Sequence, residues 1–361
     1  MRLIEIRLES FRSYASARLC PSPRVTILHG ENGAGKTNLL EAIHFLSTAR
    51  GFRSGRDGEM IRWDAPFCLV EGQVERSDGC RTISIRFEPG SKKLAAIDGA
   101  SVPRVAEAIG CLHVVDFSSR DLSIIRGEPS RRRDFMDVEL VQQSSSYGMD
   151  LARYKRSLAH RNALLGEMAA GSTSADLSVW DEQLARFGEP IVRARQEWLE
   201  AIAPIASETH SRLSGDGESL SCRYRPDIPP GGLLEALASS RSQDLARGTT
   251  SRGPHRDDIE ILVSGRSARQ FASQGQQRTA ALALKVAQAQ VAERRMGEAP
   301  VLLLDDVLSD LDEARRNRLL EYCLSGAQMI MTCTDTHQLA ASVLANAKLV
   351  QVSNSRLVEE N

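Results

Sequence analysis

Aromatic side chains make up only 5 % of this 361-residue chain. Proteins that read single strands stack bases on aromatic platforms, and no such signature is present. The seven cysteines are scattered and odd in number. They form neither a disulfide framework nor a metal-spaced cluster, which fits a reducing cytoplasm. The seven histidines show no pairing at helical metal-ligand spacing. A zinc module and a basic zipper are both missing, so sequence-specific base reading is not expected. No apolar stretch approaches the ~20 residues that a membrane span needs. Met1 to Ile6 reads as a strand with no secretory pattern, so a cytoplasmic protein without a membrane partner is expected. Net charge is −1, so any nucleic-acid face must be a local one.

What is present is ordinary in bulk and specific in detail. Apolar residues are 42 % and charged residues 26 %, as in soluble globular proteins. The length is too great for one simple core, so two domains or one domain with a large insertion is the prior. The run Gly30, Glu31, Asn32, Gly33, Ala34, Gly35, Lys36 and Thr37 fits the phosphate-loop pattern G-x-x-x-x-G-K-[ST]. The apolar, β-prone Val25–Leu28 precedes it, and Asn38 to Leu46 follows with apolar residues at helical spacing. Strand, glycine-rich turn and helix start make a phosphate cradle: backbone N–H groups and a positive helix end converge on one point. Its glycines let backbone approach phosphate where side chains would collide. Lys36 is expected on the outer phosphates of ATP and Thr37 on Mg²⁺.

Val301–Leu304 is a continuous apolar run ending in Asp305 and Asp306, which reads as a buried parallel strand. At its carboxyl end Asp305 can reach Mg²⁺ directly or through water. Asp306 is placed to orient or deprotonate the attacking water. The loop from Ser273 to Thr279 opens a long helix. Ser273 is a good cap there, and the amides behind it can receive an anion, although a purely structural cap has the same appearance.

Residues 1–115 are strand-rich. Candidates are Leu3–Leu8, Cys68–Val70, Thr82–Phe87 and Leu112–Val115, with turns at Asp78-Gly79 and Asp98-Gly99. This pattern predicts an antiparallel layer beside the nucleotide-binding strand. Residues 130–210 read as helical, broken at Gly171–Ser174, and Leu184, Phe187, Ile191 and Trp198 form a core stripe. Residues 213–255 read as loops, followed by a helix over Gln276–Val291 and a second buried strand at Met329–Thr332. The expected division is 1–117 and 251–361 as two halves of one α/β head, with 118–250 a mainly helical lobe inserted between them.

These motifs together resemble the RecF family of bacterial DNA replication and repair proteins, relatives of the SMC and Rad50 ATPases within the ABC-type ATPases. The resemblance rests on Leu8–Tyr14, Gly30–Ala42, Asp121–Pro129 with Arg131–Asp137, Gly253–Asp258 and Ser273–Arg278. It implies an α/β fold: an ABC-type P-loop ATPase head with an antiparallel β layer and a largely helical inserted lobe. It implies that Ser273, Gly275 and Gln276 form a signature that reaches the γ-phosphate of a second copy in an ATP-dependent homodimer. Ser309–Asp312 then resembles the loop crossing the same interface. Arg12 is implied near the nucleotide phosphates, Asn38 continues the phosphate loop, and Thr332–Thr334 stands where most ABC ATPases carry a histidine. The implied activity is slow, DNA-stimulated ATP hydrolysis. The implied setting is DNA damage and the SOS response, with RecR-type and RecO-type partners, where the protein helps a recombinase replace single-strand-binding protein. Three positions depart from the family pattern: Ser119-Arg120 stands for Pro-Glu, Asp310 for Glu, and Asp306 for the Glu of wider relatives. The shorter Asp306 carboxylate implies slow turnover.

Basic residues concentrate at Arg126, Arg131–Arg133, Lys155, Arg156 and Arg161, with Arg50, Arg53 and Arg56 as a second patch. Such arginines suit the backbone of duplex DNA or a single/double-strand junction. The competing readings are a transporter ATPase, a chromosome-organising ATPase and a nucleotide-dependent scaffold. The inserted lobe disfavours the first, its shortness disfavours long coiled arms, and Asp305 with Asp306 disfavours the third.

Overall fold

The structure is a computed structural model that describes residues 1–52, 57–171, 176–215, 217–311, 313–323, 326–336, 339 and 341–359. Two compact units divide it: residues 1–121 with 285–361, and residues 122–284. The sequence expectation placed the return to the head at 250/251. The second unit instead keeps residues 251–284, because a three-stranded sheet joins Leu220–Arg225 to Asp258–Val263 and Arg266–Ser267.

The first unit carries two sheets. One is antiparallel, in the order Tyr14–Leu19, Arg2–Phe11, Cys68–Arg76, Gly79–Phe87, Leu94–Ile97, Ala100–Val102. Asp98 and Gly99 both take positive φ, 51° and 79°, the turn that matches strand twist in a two-residue hairpin. The opening strand does not alternate cleanly. A bulge between Leu3 and Glu5 leaves Ile4 without a partner and turns it outward, so Leu3, Ile6, Leu8 and Phe11 are the buried residues.

The other sheet runs Arg356–Glu359, Ala347–Ser353, Val25–His29, Met329–Cys333, Val301–Asp305, Val114–Ser118. All its pairings are parallel except the first. Val301, Leu302, Leu303 and Leu304 are all buried, as expected for a parallel strand covered on both faces. The helix Lys36–Thr48 packs against both sheets. It therefore buries residues all round, Leu39, Leu40, Ile43, Phe45 and Leu46 among them, and not along one stripe. Each such side chain contributes about 1.5–3 kcal/mol of burial, and Phe45→Ala would cost about 3–5 kcal/mol.

The second unit is built on helices Pro129–Gln143, Ser145–Ala169 and Ser178–Ser214. The break read at Gly171–Ser174 falls largely on residues outside those described. Leu184, Ile191 and Trp198 are fully buried, and Trp198 meets Phe135 edge-on at 5.2 Å. Phe187 departs from the expected stripe. It is only half-buried, with Arg153 and Arg186 near its ring. Gly188 takes the core position beside it, where a Cβ would fall 2.5 Å from Leu233. The segment read as loops at 213–255 also holds the strand Leu220–Arg225 and two short helices, Leu233–Ser239 and Arg241–Arg247.

Buried ion pairs fix this unit. Arg195 donates to Asp137 at 2.8 Å, to Asp257 at 3.0 Å and to the Pro254 carbonyl at 2.7 Å. Arg161 donates to Asp181 and Asp244, both at 2.7 Å. Among the described residues no helix is long and apolar enough to cross a membrane.

Candidate active site

The phosphate loop leaves the strand Val25–His29 and enters its helix at Lys36. Gly35 precedes the helix at φ 114°, and no side chain caps the helix start. The first-turn amides are thus left for a ligand. Two glycines have a reason within the chain besides the close approach of phosphate. Gly30 has φ 144°, and a Cβ there would sit 2.2 Å from the Val352 carbonyl oxygen. At Gly35 a Cβ would meet Tyr14 Oη at 3.0 Å.

Lys36 is buried and donates from Nζ to the carbonyls of Gly30 at 2.6 Å and Glu31 at 2.9 Å. Its ammonium is held inside the loop, over the turn it belongs to. Asn38 donates to Ser13 Oγ at 2.9 Å, which also accepts from Ser355 at 2.6 Å. The Ser355 N–H donates to the Ala34 carbonyl at 2.9 Å.

Thr37 and Asp305 meet: the hydroxyl donates to Oδ1 at 2.8 Å. Thr332, opposite Asp305 in the parallel register, donates to the same oxygen at 3.2 Å and accepts from the Asp306 N–H at 2.9 Å. Thr332 was not singled out from the sequence as an Asp305 partner. The signal was there, since two adjacent parallel apolar runs place their last residues side by side. Asp306 is exposed at φ 52°, a conformation costly for most side chains but tolerated by Asp and Asn. A hydroxyl and a carboxylate this close are hard oxygen donors of the kind Mg²⁺ accepts, so these residues fit the ion.

Arg12 sits at φ 52° and grips Glu41 with two hydrogen bonds, 2.9 and 2.8 Å, while its third nitrogen donates to the Glu59 carbonyl at 2.7 Å. All three guanidinium nitrogens are thereby engaged within the head, tying the first strand to the phosphate-loop helix.

Behind that helix lies a charged cluster that sequence reasoning missed. His44 Nδ1 lies 3.7 Å from Asp116, and Lys285 lies 3.8 Å from the same carboxylate. Burial pushes the His44 pKa down to about 4, and the cations Lys285 and Arg120 push the same way. Burial raises Asp121 to about 7 against the pull of Lys285. These residues lie far apart in sequence and carry no common spacing.

In the second unit Ser273 and Gln276 cap one another. The Gln276 N–H donates to Ser273 Oγ at 3.2 Å, and the Ser273 N–H donates to Gln276 Oε1 at 2.7 Å. This reciprocal capping box starts the helix Gln274–Met296. Among the described residues a Cβ at Gly275 would meet only Ser273 Oγ, at 4.0 Å, and none of their atoms demands glycine there. Ser309 and Asp310 belong to a short 3₁₀ turn, Val307–Asp310, and Asp312 lies outside the described residues.

The basic cluster divides. Arg131 is exposed, but Arg132 is buried and grips Asp258, one contact being 3.0 Å. Arg133 donates to the Asp257 carbonyl at 2.7 Å, and Arg161 is fully buried. Arg132 and Arg161 are therefore structural, which corrects their place among the basic residues expected to suit a DNA backbone. In a helix, three consecutive arginines point in three directions. Arg50 is exposed, while Arg53 and Arg56 lie outside the described residues.

Comparison with known proteins agrees with this geometry. The family model described as RecF/RecN/SMC N terminal domain matches residues 2–357. The chain is 41 % identical over 350 residues to the DNA replication and repair protein RecF of Symbiobacterium thermophilum, covering 94 % of this chain and 93 % of that one. It is 38 % identical to the protein of the same description from Thermosynechococcus vestitus, covering 98 % and 96 %. A solved structure of the recombination mediator protein RecF-ATP in the RecFOR pathway superposes with a TM-score of 0.91 at 32 % identity, covering 99 % and 97 %. The Smc head domain of Pyrococcus furiosus shares the fold, with a TM-score of 0.56 at 18 % identity. This chain therefore belongs to the RecF/RecN/SMC N-terminal domain family, as a P-loop ATPase of the RecF type.

Proposed function

We propose that this protein uses ATP to dimerise on duplex, gapped or junction DNA during recombinational repair and replication maintenance, and that slow hydrolysis releases it. The observation that carries the reading is the 2.8 Å contact of Thr37 with Asp305, which joins the phosphate loop to the strand-end acid. Mg²⁺ held by Thr37 and Asp305, the latter directly or through water, would supply positive charge to the β- and γ-phosphate oxygens. Lys36 exchanges its two carbonyl partners for phosphate oxygens, and the uncapped helix start with residues Gly30 to Asn38 surrounds the triphosphate. Asp306 accepts a proton from the attacking water, with its backbone held by Thr332. Arg12 acts through Glu41 by bracing the loop's helix.

Ser273, Gly275 and Gln276 complete the site of a second copy. In support, Gly275 has no steric reason among the described residues, and close backbone approach to a phosphate supplies one. ATP then joins two heads, and ADP, which lacks the terminal phosphate, does not. DNA contact falls to exposed cations such as Arg131 and Arg156. Solved relatives described as recombination mediators in the RecFOR pathway support RecO-type and RecR-type partners and a role in loading recombinase.

Light scattering with Mg²⁺-ATP tests the core of the reading. A doubling of mass with ATP but not ADP, lost in Ser273→Arg, is expected. A monomer at saturating ATP and DNA would overturn it.

A further inference from the structure

We propose that Arg120 is a second cation of the nucleotide site, which neutralises Asp305 in the metal-free head and turns to the terminal phosphate when a divalent cation takes that carboxylate. The inference rests on the ATP reading above. Strand register places the position: Ser118 lies opposite Asp305 in the parallel pair, so the turn after Ser118 leaves the sheet beside the strand-end acid. That turn is closed by Asp121, whose carboxylate accepts the Ser118 N–H at 2.7 Å. Arg120 is thereby aimed along the sheet's carboxyl edge.

Its guanidinium lies 4.4 Å from the centre of the Phe52 ring, and Nε donates to Ser118 Oγ at 3.3 Å. Nη2 approaches Asp305 Oδ2 to 3.7 Å, an ion-pair distance too long for a hydrogen bond. Nη2 is buried and, among the described residues, has no hydrogen-bond partner. A buried guanidinium N–H left unsatisfied is costly, and a fork whose hydrogen bond among the described residues is one long hydroxyl contact, its carboxylate neighbours acting by charge alone, is easily re-aimed. The two Asp305 oxygens are already differentiated. Oδ1 takes Thr37 and Thr332, while Oδ2 faces Arg120. A divalent cation on Asp305 brings like charge beside the guanidinium and drives it off. A terminal phosphate offers two oxygens that match its fork, as an ammonium or a neutral side chain would not. ADP offers no such group. One head thus distinguishes ATP from ADP before any second copy arrives.

The test is equilibrium titration of fluorescent ATP and ADP analogues into wild-type protein, Arg120→Gln and Arg120→Lys at a concentration where each is monomeric, with melting curves confirming folding. Arg120→Gln should weaken Mg²⁺-ATP about tenfold, as for one charge-assisted hydrogen bond, and leave ADP within about twofold. It should also lower the Mg²⁺ concentration at half-saturation, because competition for Asp305 is gone. Arg120→Lys should fall between. Equal loss of both nucleotides, or an unchanged ATP-to-ADP ratio, overturns the inference alone. Wild-type protein that binds neither nucleotide overturns the phosphate-site reading and this inference with it.

Discussion

Thr37 donates to Asp305 Oδ1 across 2.8 Å although 268 residues separate the two in the chain. Either side chain alone is a poor metal site, and together they offer two hard oxygens. Thr37→Ala should therefore raise the Mg²⁺ needed for ATP binding by about tenfold, the loss of one ligand contact. Asp305→Asn should raise it further, because a charge is lost as well. Titration of nucleotide affinity against Mg²⁺ checks both, and variants indistinguishable from wild type would refute the pairing.

Asp306→Asn separates binding from chemistry. Asn tolerates the positive φ at this position, so the backbone and the contact with Thr332 should persist. ATP affinity should stay within about threefold while single-turnover hydrolysis falls about 100-fold or more, the usual range for losing a general base. Equal damage to affinity and turnover would count against Asp306 as the base.

Arg131 and Arg132 should behave as opposites despite being neighbours. Arg131→Ala should weaken duplex binding about equally for unrelated sequences and lower the salt slope by about one. Arg132→Ala should remove a buried guanidinium that bonds the half-exposed Asp258 and the Gly127 carbonyl, and destabilise the protein by about 1–2 kcal/mol. Salt-dependent DNA titration and chemical unfolding, run on both variants, read the two effects separately.

His44 gives a pH dependence with a defined sign. Its folded pKa is about 4, below the ordinary 6.5, so the folded state binds fewer protons than the unfolded chain. Its contribution is fully present above pH 6.5 and is lost as pH falls toward 4, by up to about 3 kcal/mol. Asp121, raised to about 7, runs the other way: its contribution is present in acid and fades as pH rises toward 7. Comparing wild type with His44→Gln cancels Asp121 to first order. The variant should lose less stability between pH 6.5 and 4, and parallel urea-unfolding profiles would contradict the assignment.

The parts legible in the sequence were those carried by local pattern. Gly30–Thr37 and Val301–Asp306 each announce a strand and its end, and strand ends are where α/β sheets place ligands. The helices of the second unit were legible from periodicity. Position on a helix face was not: Phe187 and Gly188 exchange the roles that their chemistry suggests, because Leu233 leaves no room at the second. Arg132 and Arg131 are the same residue type, and only the presence of Asp258 nearby separates anchor from surface. The cluster of His44, Asp116, Arg120 and Lys285 forms when a helix, a strand with the turn after it and a distant helix converge. No window of sequence contains that convergence.

The strand order has a consequence for biosynthesis. Val25–His29, which feeds the phosphate loop, has as its two neighbours Met329–Cys333 and Ala347–Ser353. A ribosome must reach residues 329–333 before that strand acquires either edge partner. Until then its N–H and C=O groups are unpaired, in a segment whose Val25, Ile27 and Leu28 are buried in the finished head. The antiparallel sheet built from residues 2–102 needs no such wait. The nascent chain thus presents a completed β layer next to a nucleotide strand still open on both sides, and the cradle for ATP closes only once residues 329–353 have been made.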